Sequence, residues 1–302
     1  MHACSSDQSS YLIRIEAYVA RMPSLSTTAT KVLATCNDPQ ASPNDLNRLI
    51  SLDPVLAGQV LRLINSAYYS LSHPISSLTR AIIMLGVNTV KNLVLSFAIL
   101  QQLPMARSFG TLSPVIFWEH SVAVGVIAKW LAEFKGVHLI DQEDYFVAGL
   151  LHDLGKIPLN HQFADETRQA MALARQHRWS AVHAERIIFG FDHSVVGGLI
   201  ARKWRLSPAF VDVLAYHHRP AESPDNSPQL VFMVALADLY AWMLENDSDE
   251  DTLAHDKFAA SVMARVGLDA STLAQVRDTV LAEIDRAKIF LEISQRKPGH
   301  DR

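Results

Sequence analysis

The stretch SPNDLNRLISLDPVLAGQVLRLI, residues 42–64, contains two helix starts and the apolar pattern of two helices. At each start a small polar residue able to cap is followed at once by proline: Ser42 by Pro43, and Asp53 by Pro54. The side-chain oxygen can accept from an orphan N–H of the first turn, and proline's fixed φ suits a position that needs no donor. Behind these starts Leu46, Ile50 and Leu52, then Leu56, Val60, Leu61 and Ile64, recur at helical rather than alternating spacing.

The same punctuation returns at Ser113 and Pro114, Ser207 and Pro208, and Ser227 and Pro228. Few windows alternate with a period of two and glycine is scarce, so the pattern predicts an all-α chain. The segment Ala106 to Pro114, with Arg107, Gly110 and Ser113, is the expected junction between two helical bundles, 1–108 and 109–302. It does not have the composition of a long flexible linker, so the bundles are expected to pack together. From Asp269 to Lys297 the pattern predicts one long helix whose stripe of Leu273, Val276, Val280, Ile284, Ile289 and Ile293 could dock on the chain or on a second copy. Docking on the chain is the expectation, because intrachain burial is the commoner use of such a face.

Bulk properties exclude several classes of function. With 49% hydrophobic and 19% charged residues, the 302-residue chain can fold around a sizeable core and is not of disordered composition. A formal charge of −4, a pI near 6.3 and the lack of a Lys/Arg-rich run give no pull toward a phosphate backbone, so nucleic acid is not an expected partner. Met1–Ser10 lacks the basic and apolar regions of a secretory signal, and the apolar stretch near Val94–Leu103 is too short to span a bilayer. These features predict a cytoplasmic protein with no membrane partner. Cys4 and Cys36 are the only cysteines, which fits a reducing compartment and cannot build a thiolate metal site.

Chemistry enters where ionisable residues interrupt apolar helical runs. Asp238 lies within Val231–Trp242, where an unpaired buried carboxylate would cost several kcal/mol and a metal ion is one compensation. His152 and Asp153 end an apolar run and precede Gly155 and Lys156; adjacent residues on a helix point about 100° apart and can grip a cation from two sides. Gly155 suits a helix end, with Lys156 just beyond it. His217 and His218 precede Pro220, near a helix C-terminus. His193 follows Asp192 at a helix N-terminus, where the dipole favours the neutral, metal-binding imidazole. His120 lies on the helix that starts at Pro114. A lone histidine is more often capped, exposed or hydrogen-bonded than a ligand, and His2, His73, His138, His161, His177, His183, His255 and His300 are read that way. Among these ordinary residues, His183 and Glu185 stand out by lying close upstream of His193.

Taken in order, His120, His152, Asp153, Lys156, His193, His217, His218 and Asp238 resemble the metal-dependent HD phosphohydrolase superfamily in its HD-GYP-like form. The N-terminal half resembles the rest of an HDOD protein through Met22–Leu25, Asp53, Pro54, Leu56 and Ala57, Asn65–Ala67, and Ala81, Ile82, Leu85 and Gly86. Gly190–His193, Gly197 and Trp204–Pro208 match as well, so the resemblance covers roughly Arg21 to Asp238.

The resemblance implies a C-terminal HD-domain-like bundle holding one or two divalent ions on His120, His152, Asp153, His193, His217, His218 and Asp238. Donors of N and O character suit iron, manganese, nickel, zinc or magnesium, and the histidine-rich balance leans to a transition metal. Three functions follow: a regulatory module acting through a signalling protein partner or small phosphate-containing ligand, a phosphohydrolase, or a metal-free helical scaffold. In the hydrolase, Asp153 is a catalytic residue of the metal site and Lys156 offsets charge developing on the phosphate. After His218 the chain reads Arg219, Pro220, Ala221 and Glu222, without the Gly-Tyr-Pro element, so hydrolysis of cyclic di-GMP is not expected.

Overall fold

All five capping-residue and proline pairs begin helices. Ser42 forms a capping box: its Oγ accepts from Asp45 N at 3.3 Å while its own N–H donates to Asp45 Oδ2 at 3.0 Å. Asp53 Oδ1 accepts from Leu56 N at 3.0 Å, Ser207 Oγ from Phe210 N at 3.4 Å and Ser113 Oγ from Ile116 N at 3.5 Å. The computed structural model describes residues 3–36, 42–71, 73–103, 112–224, 227–248, 253 and 255–295. Among these the chain is all-α, with no β-strand.

The helices are α1 (Ala3–Arg21), α2 (Thr27–Cys36), α3 (Pro43–Ile50), α4 (Pro54–Ile64), α5 (Leu78–Leu85), α6 (Val87–Gln102), α7 (Pro114–Phe134), α8 (Leu139–Leu151) and α9 (Lys156–Gln162). They continue with α10 (Ala164–His177), α11 (Ala181–Phe189), α12 (His193–Lys203), α13 (Pro208–Tyr216), α14 (Pro228–Glu245), α15 (Lys257–Val266), α16 (Ala270–Ala287) and α17 (Ile289–Gln295). Of the segment expected to form the junction, Ala106–Pro114, residues 106–111 lie outside the described residues.

The chain forms two compact units, each gathered from three separate stretches. Unit 1 comprises Met1–Ser24, Ala106–Phe117 and Leu151–Ala235. In it α12 packs on α13, α9 and α1, and α10 packs on α11. Tyr11 of α1 stands edge-on to Phe163 and Phe189, with ring centroids 5.1 and 5.4 Å away, and Trp204 Nε1 donates to Pro23 O at 3.0 Å.

Unit 2 comprises Leu25–Met105, Trp118–Leu150 and Leu236–Arg302. Within it α2 packs on α3 and α6, and α4 on α6. At Gly86 the chain turns by 120° between α5 and α6. Its φ of +87° lies in the region that favours glycine. Leu46, Ile50, Leu56, Val60 and Ile64 are buried as their spacing predicts, but Leu52 is 68% exposed because α3 has ended two residues before it.

The expected single helix over 269–297 is two helices, α16 and α17, divided at Lys288; residues 296–297 lie outside the described residues. The break lets α17 fold onto α4 and α6, where Phe290 stacks on Phe97 at 4.8 Å and Ile293 O accepts from Gln59 Nε2 at 3.4 Å. The segment thus docks within its own chain. The apolar segment weighed as too short to span a bilayer lies within α6, whereas α7 is long and apolar enough by length and composition, with 67% of its most apolar window buried.

Candidate metal centre

The His-Asp doublet does not lie on a helix. α8 ends at Leu151, the backbone turns through His152–Gly155, and α9 begins at Lys156. Gly155 is correspondingly not a left-handed helix end: its φ and ψ are −64° and −21°, values open to any residue. What demands glycine is space, since a Cβ there would sit 1.9 Å from His193 O and 2.7 Å from Gly197 N. A Cβ on Gly197 would in turn meet Leu214 O at 3.0 Å. Two glycines thus let the start of α12 press on the turn, and α13 press on α12.

That close approach assembles five side chains of unit 1. His193 Nε2 lies 3.0 Å from Asp153 Oδ1 and 2.9 Å from His218 Nε2, and His217 Nε2 lies 3.7 Å from Asp153 Oδ1. His152 stands edge-on to His217, with centroids 5.0 Å apart, and its Nε2 is 3.4 Å from Asp153 Oδ2. One donor atom from each of Asp153, His193, His217 and His218 lies within 4.8 Å of the others. Donors on one ion with bonds of about 2.0–2.2 Å lie within about 4.4 Å of one another at most, so the four atoms are already gathered close to the span a single ion requires.

His217 provides the test of fit. Its Nδ1 donates to Val213 O at 3.0 Å, which fixes the ring and leaves Nε2 as an acceptor. That Nε2 is buried and has no hydrogen-bond partner among the described residues. An orphaned lone pair of this kind is costly in a protein interior, and a cation satisfies it. The nitrogen and oxygen donors therefore fit a divalent ion, and no sulfur takes part.

The electrostatics are those of a buried acid among bases. Burial alone would raise the Asp153 carboxyl, but His152, Lys156 and His193 outweigh it and hold the group well below the usual carboxylate range. The Lys156 ammonium, partly exposed, contacts Asp153 Oδ2 directly. Burial pushes the His217 imidazole down, with His152 and His193 adding to the effect, so it stays neutral. His193 departs from the neutral form expected at a helix N-terminus. Burial lowers its pKa, but Glu185 and Asp153 overcome that and lift it to about 9, because two adjacent carboxylates outweigh the partial charge of a helix end.

The other two expected ligands lie in unit 2 and meet each other. His120 Nε2 is 3.2 Å from Asp238 Oδ1, and His120 Nδ1 is 2.9 Å from Glu245 Oε1. Both His120 and Asp238 are half-buried.

A family model for the HDOD domain matches residues 22–220, more than half of the chain. The chain belongs to the HDOD domain family. Over 95% of its length it is similar to an HDOD domain protein of unknown function from Geobacter sulfurreducens, at 27% identity, 98% coverage of that chain and a TM-score of 0.76. A protein of Shewanella amazonensis SB2B, whose designation as a phosphohydrolase is provisional, shares the fold at 22% identity, with a TM-score of 0.68 and coverage of 90% and 97%. An uncharacterised protein of Treponema pallidum (strain Nichols) is 21% identical over 230 residues, 75% of this chain and 43% of the relative. The chain thus spans less than half the length of that curated relative.

The HDOD match takes in every expected metal ligand except Asp238, which lies beyond its end. Two carboxylates at these sites went unforeseen as partners: Glu185 on α11, buried against His193, and Glu245, seven residues after Asp238 on α14. Glu185 has one local mark, its place close upstream of His193 in an apolar helical run. His183, singled out alongside it, is exposed and stands edge-on to Trp179 instead.

Proposed function

We propose that the chain is a regulatory HDOD module with a divalent metal centre on Asp153, His193, His217 and His218, beside His152. The single observation that carries this reading is the buried His217 Nε2, which lacks a hydrogen-bond partner among the described residues and stands among ring nitrogens gathered on one buried acid. His120 and Asp238 remain in the reading as a second donor pair. A transition ion such as iron, manganese, nickel or zinc suits the histidine-rich set better than magnesium does. In this reading the module works in the cytoplasm, and its output passes to a signalling protein partner or follows a small phosphate-containing ligand.

The test is elemental analysis of protein purified without added metal, followed by titration with each candidate ion. The expected result is a stoichiometric ion in the wild type and a reduced content in His217→Ala. A wild-type protein that arrives empty and takes up none of the four ions overturns the reading.

A second reading, a metal-dependent phosphohydrolase, is favoured by Lys156. Its ammonium sits on Asp153 and is partly exposed, so a cation borders the cluster where phosphate oxygens would need one. When bound, the ion would supply Lewis-acid charge and a hydroxide at neutral pH. Hydrolysis of a generic phosphodiester and of cyclic dinucleotides, compared between the wild type and a His152→Ala, Asp153→Ala double variant, separates the two readings. Activity lost in a folded double variant favours the hydrolase, and metal binding without turnover favours the regulator.

A further inference from the structure

His193 is gripped by one carboxylate at two points. Glu185 Oε2 lies 2.7 Å from His193 Nδ1 and 2.9 Å from the His193 backbone N, so one oxygen accepts from both the ring and the first residue of α12. Both residues are buried, so water does not compete for these contacts. The opposite ring nitrogen, Nε2, is the one that meets Asp153 and His218.

We propose that Glu185 is the positioning residue of the cluster: by accepting from His193 Nδ1–H it turns Nε2 toward Asp153 and His218, and in the neutral ring it keeps the proton on Nδ1 so that the lone pair is on Nε2. His217 is held in the same sense by the Val213 carbonyl on its Nδ1, and His120 by Glu245 on its Nδ1. Among the described residues, Glu185 is the carboxylate on the Nδ1 side of the His193 ring, and Asp153 and His218 meet its Nε2 side. Without Glu185, the carboxylate left touching the ring is Asp153, on Nε2. The neutral ring then gains by moving its proton to Nε2, which puts an N–H where an ion needs a lone pair. Histidine ligands are commonly oriented through their second nitrogen in this way, at a cost of about 10–100-fold in metal affinity when the partner is lost.

The consequence for affinity rests on the metal reading above, whereas the positioning itself does not. The experiment therefore has two arms. In the first, the 15N shifts and couplings of the His193 ring are recorded on metal-free protein in alkaline buffer, where the ring is neutral. Wild type and Glu185→Gln, whose amide oxygen can still accept, are expected to show the Nδ1–H tautomer, and Glu185→Ala the Nε2–H tautomer. In the second, zinc affinity is measured by chelator competition and is expected to fall about 10–100-fold in Glu185→Ala, with substantial recovery in Glu185→Gln.

An Nε2–H ring in wild type, or an Nδ1–H ring retained in folded Glu185→Ala, overturns the inference. If Glu185→Ala does not fold, the spectra of the wild type and Glu185→Gln decide: Nδ1–H in both supports it, and Nε2–H in either overturns it. A tautomer switch in a protein that binds no zinc upholds the positioning role while refuting the metal centre.

Discussion

Each unit buries an acid in apolar helical surroundings, and the two acids are neutralised by different chemistry. In unit 2, Glu143 Oε1 receives the Lys129 ammonium and the Tyr69 hydroxyl, the latter at 3.3 Å, with Lys129 also lying 5.1 and 5.5 Å from the centres of the Tyr68 and Tyr69 rings. Burial would lower the Lys129 pKa, but Tyr68 and Glu143 outweigh it and raise it, so the cation is permanent. In unit 1, Asp153 meets Lys156 but also three imidazoles. A lysine ammonium can only donate protons, whereas a neutral imidazole also offers a lone pair. The first cluster is an ion pair with a lysine, leaving Glu143 Oε2 buried without a hydrogen-bond partner among the described residues, and the second adds a ring nitrogen, His217 Nε2, whose lone pair can take up a cation.

The strongest way to break this contrast is to remove each acid. Asp153→Ala is expected to abolish metal content by elemental analysis, whereas Glu143→Ala should leave it intact. Glu143→Ala should instead destabilise the fold by about 3 kcal/mol in denaturant unfolding, because it strands the Lys129 charge. Metal loss of equal extent in both variants would erase the distinction.

A smaller effect separates two glycines. Gly155→Ala forces a methyl against the His193 carbonyl and is expected to cost about 3 kcal/mol, with loss of metal, because α12 must retreat from the turn. Gly125→Ala in unit 2 meets Phe146 O at the milder distance of 2.7 Å. It should cost about 1–2 kcal/mol and spare the metal. Chemical denaturation with parallel metal analysis checks both.

The smallest effect is pH-dependent and belongs to Asp192, which caps α12 next to His193. Burial would raise its carboxyl, but Ser194, His193 and Arg186 hold it below the ordinary carboxylate value. Because the folded value lies below the unfolded one, the stabilisation is present above the ordinary value and is lost as pH falls through the folded value. Asp192→Ala should therefore cost about 1–2 kcal/mol at neutral pH, and the gap to wild type should narrow in acid. A gap independent of pH, seen by thermal unfolding across the acid range, would show that the carboxylate charge contributes nothing.

The helices and their starts were legible in the sequence because they are local. A capping oxygen and the N–H it accepts lie three residues apart at Ser42, Asp53, Ser113 and Ser207, and apolar spacing of three and four follows from the helical period. The donor residues His152, Asp153, His193, His217 and His218 were legible as types in a family order, since a metal site needs particular atoms. Tertiary packing alone decided the rest. It made Gly155 a matter of clearance from α12 rather than of helix ending, put the doublet in a turn, and set Glu185 against His193 across eight residues. It also reversed the charge expected of His193, because a helix end acts within one turn of local sequence while the carboxylates that outweigh it come from elsewhere in the fold.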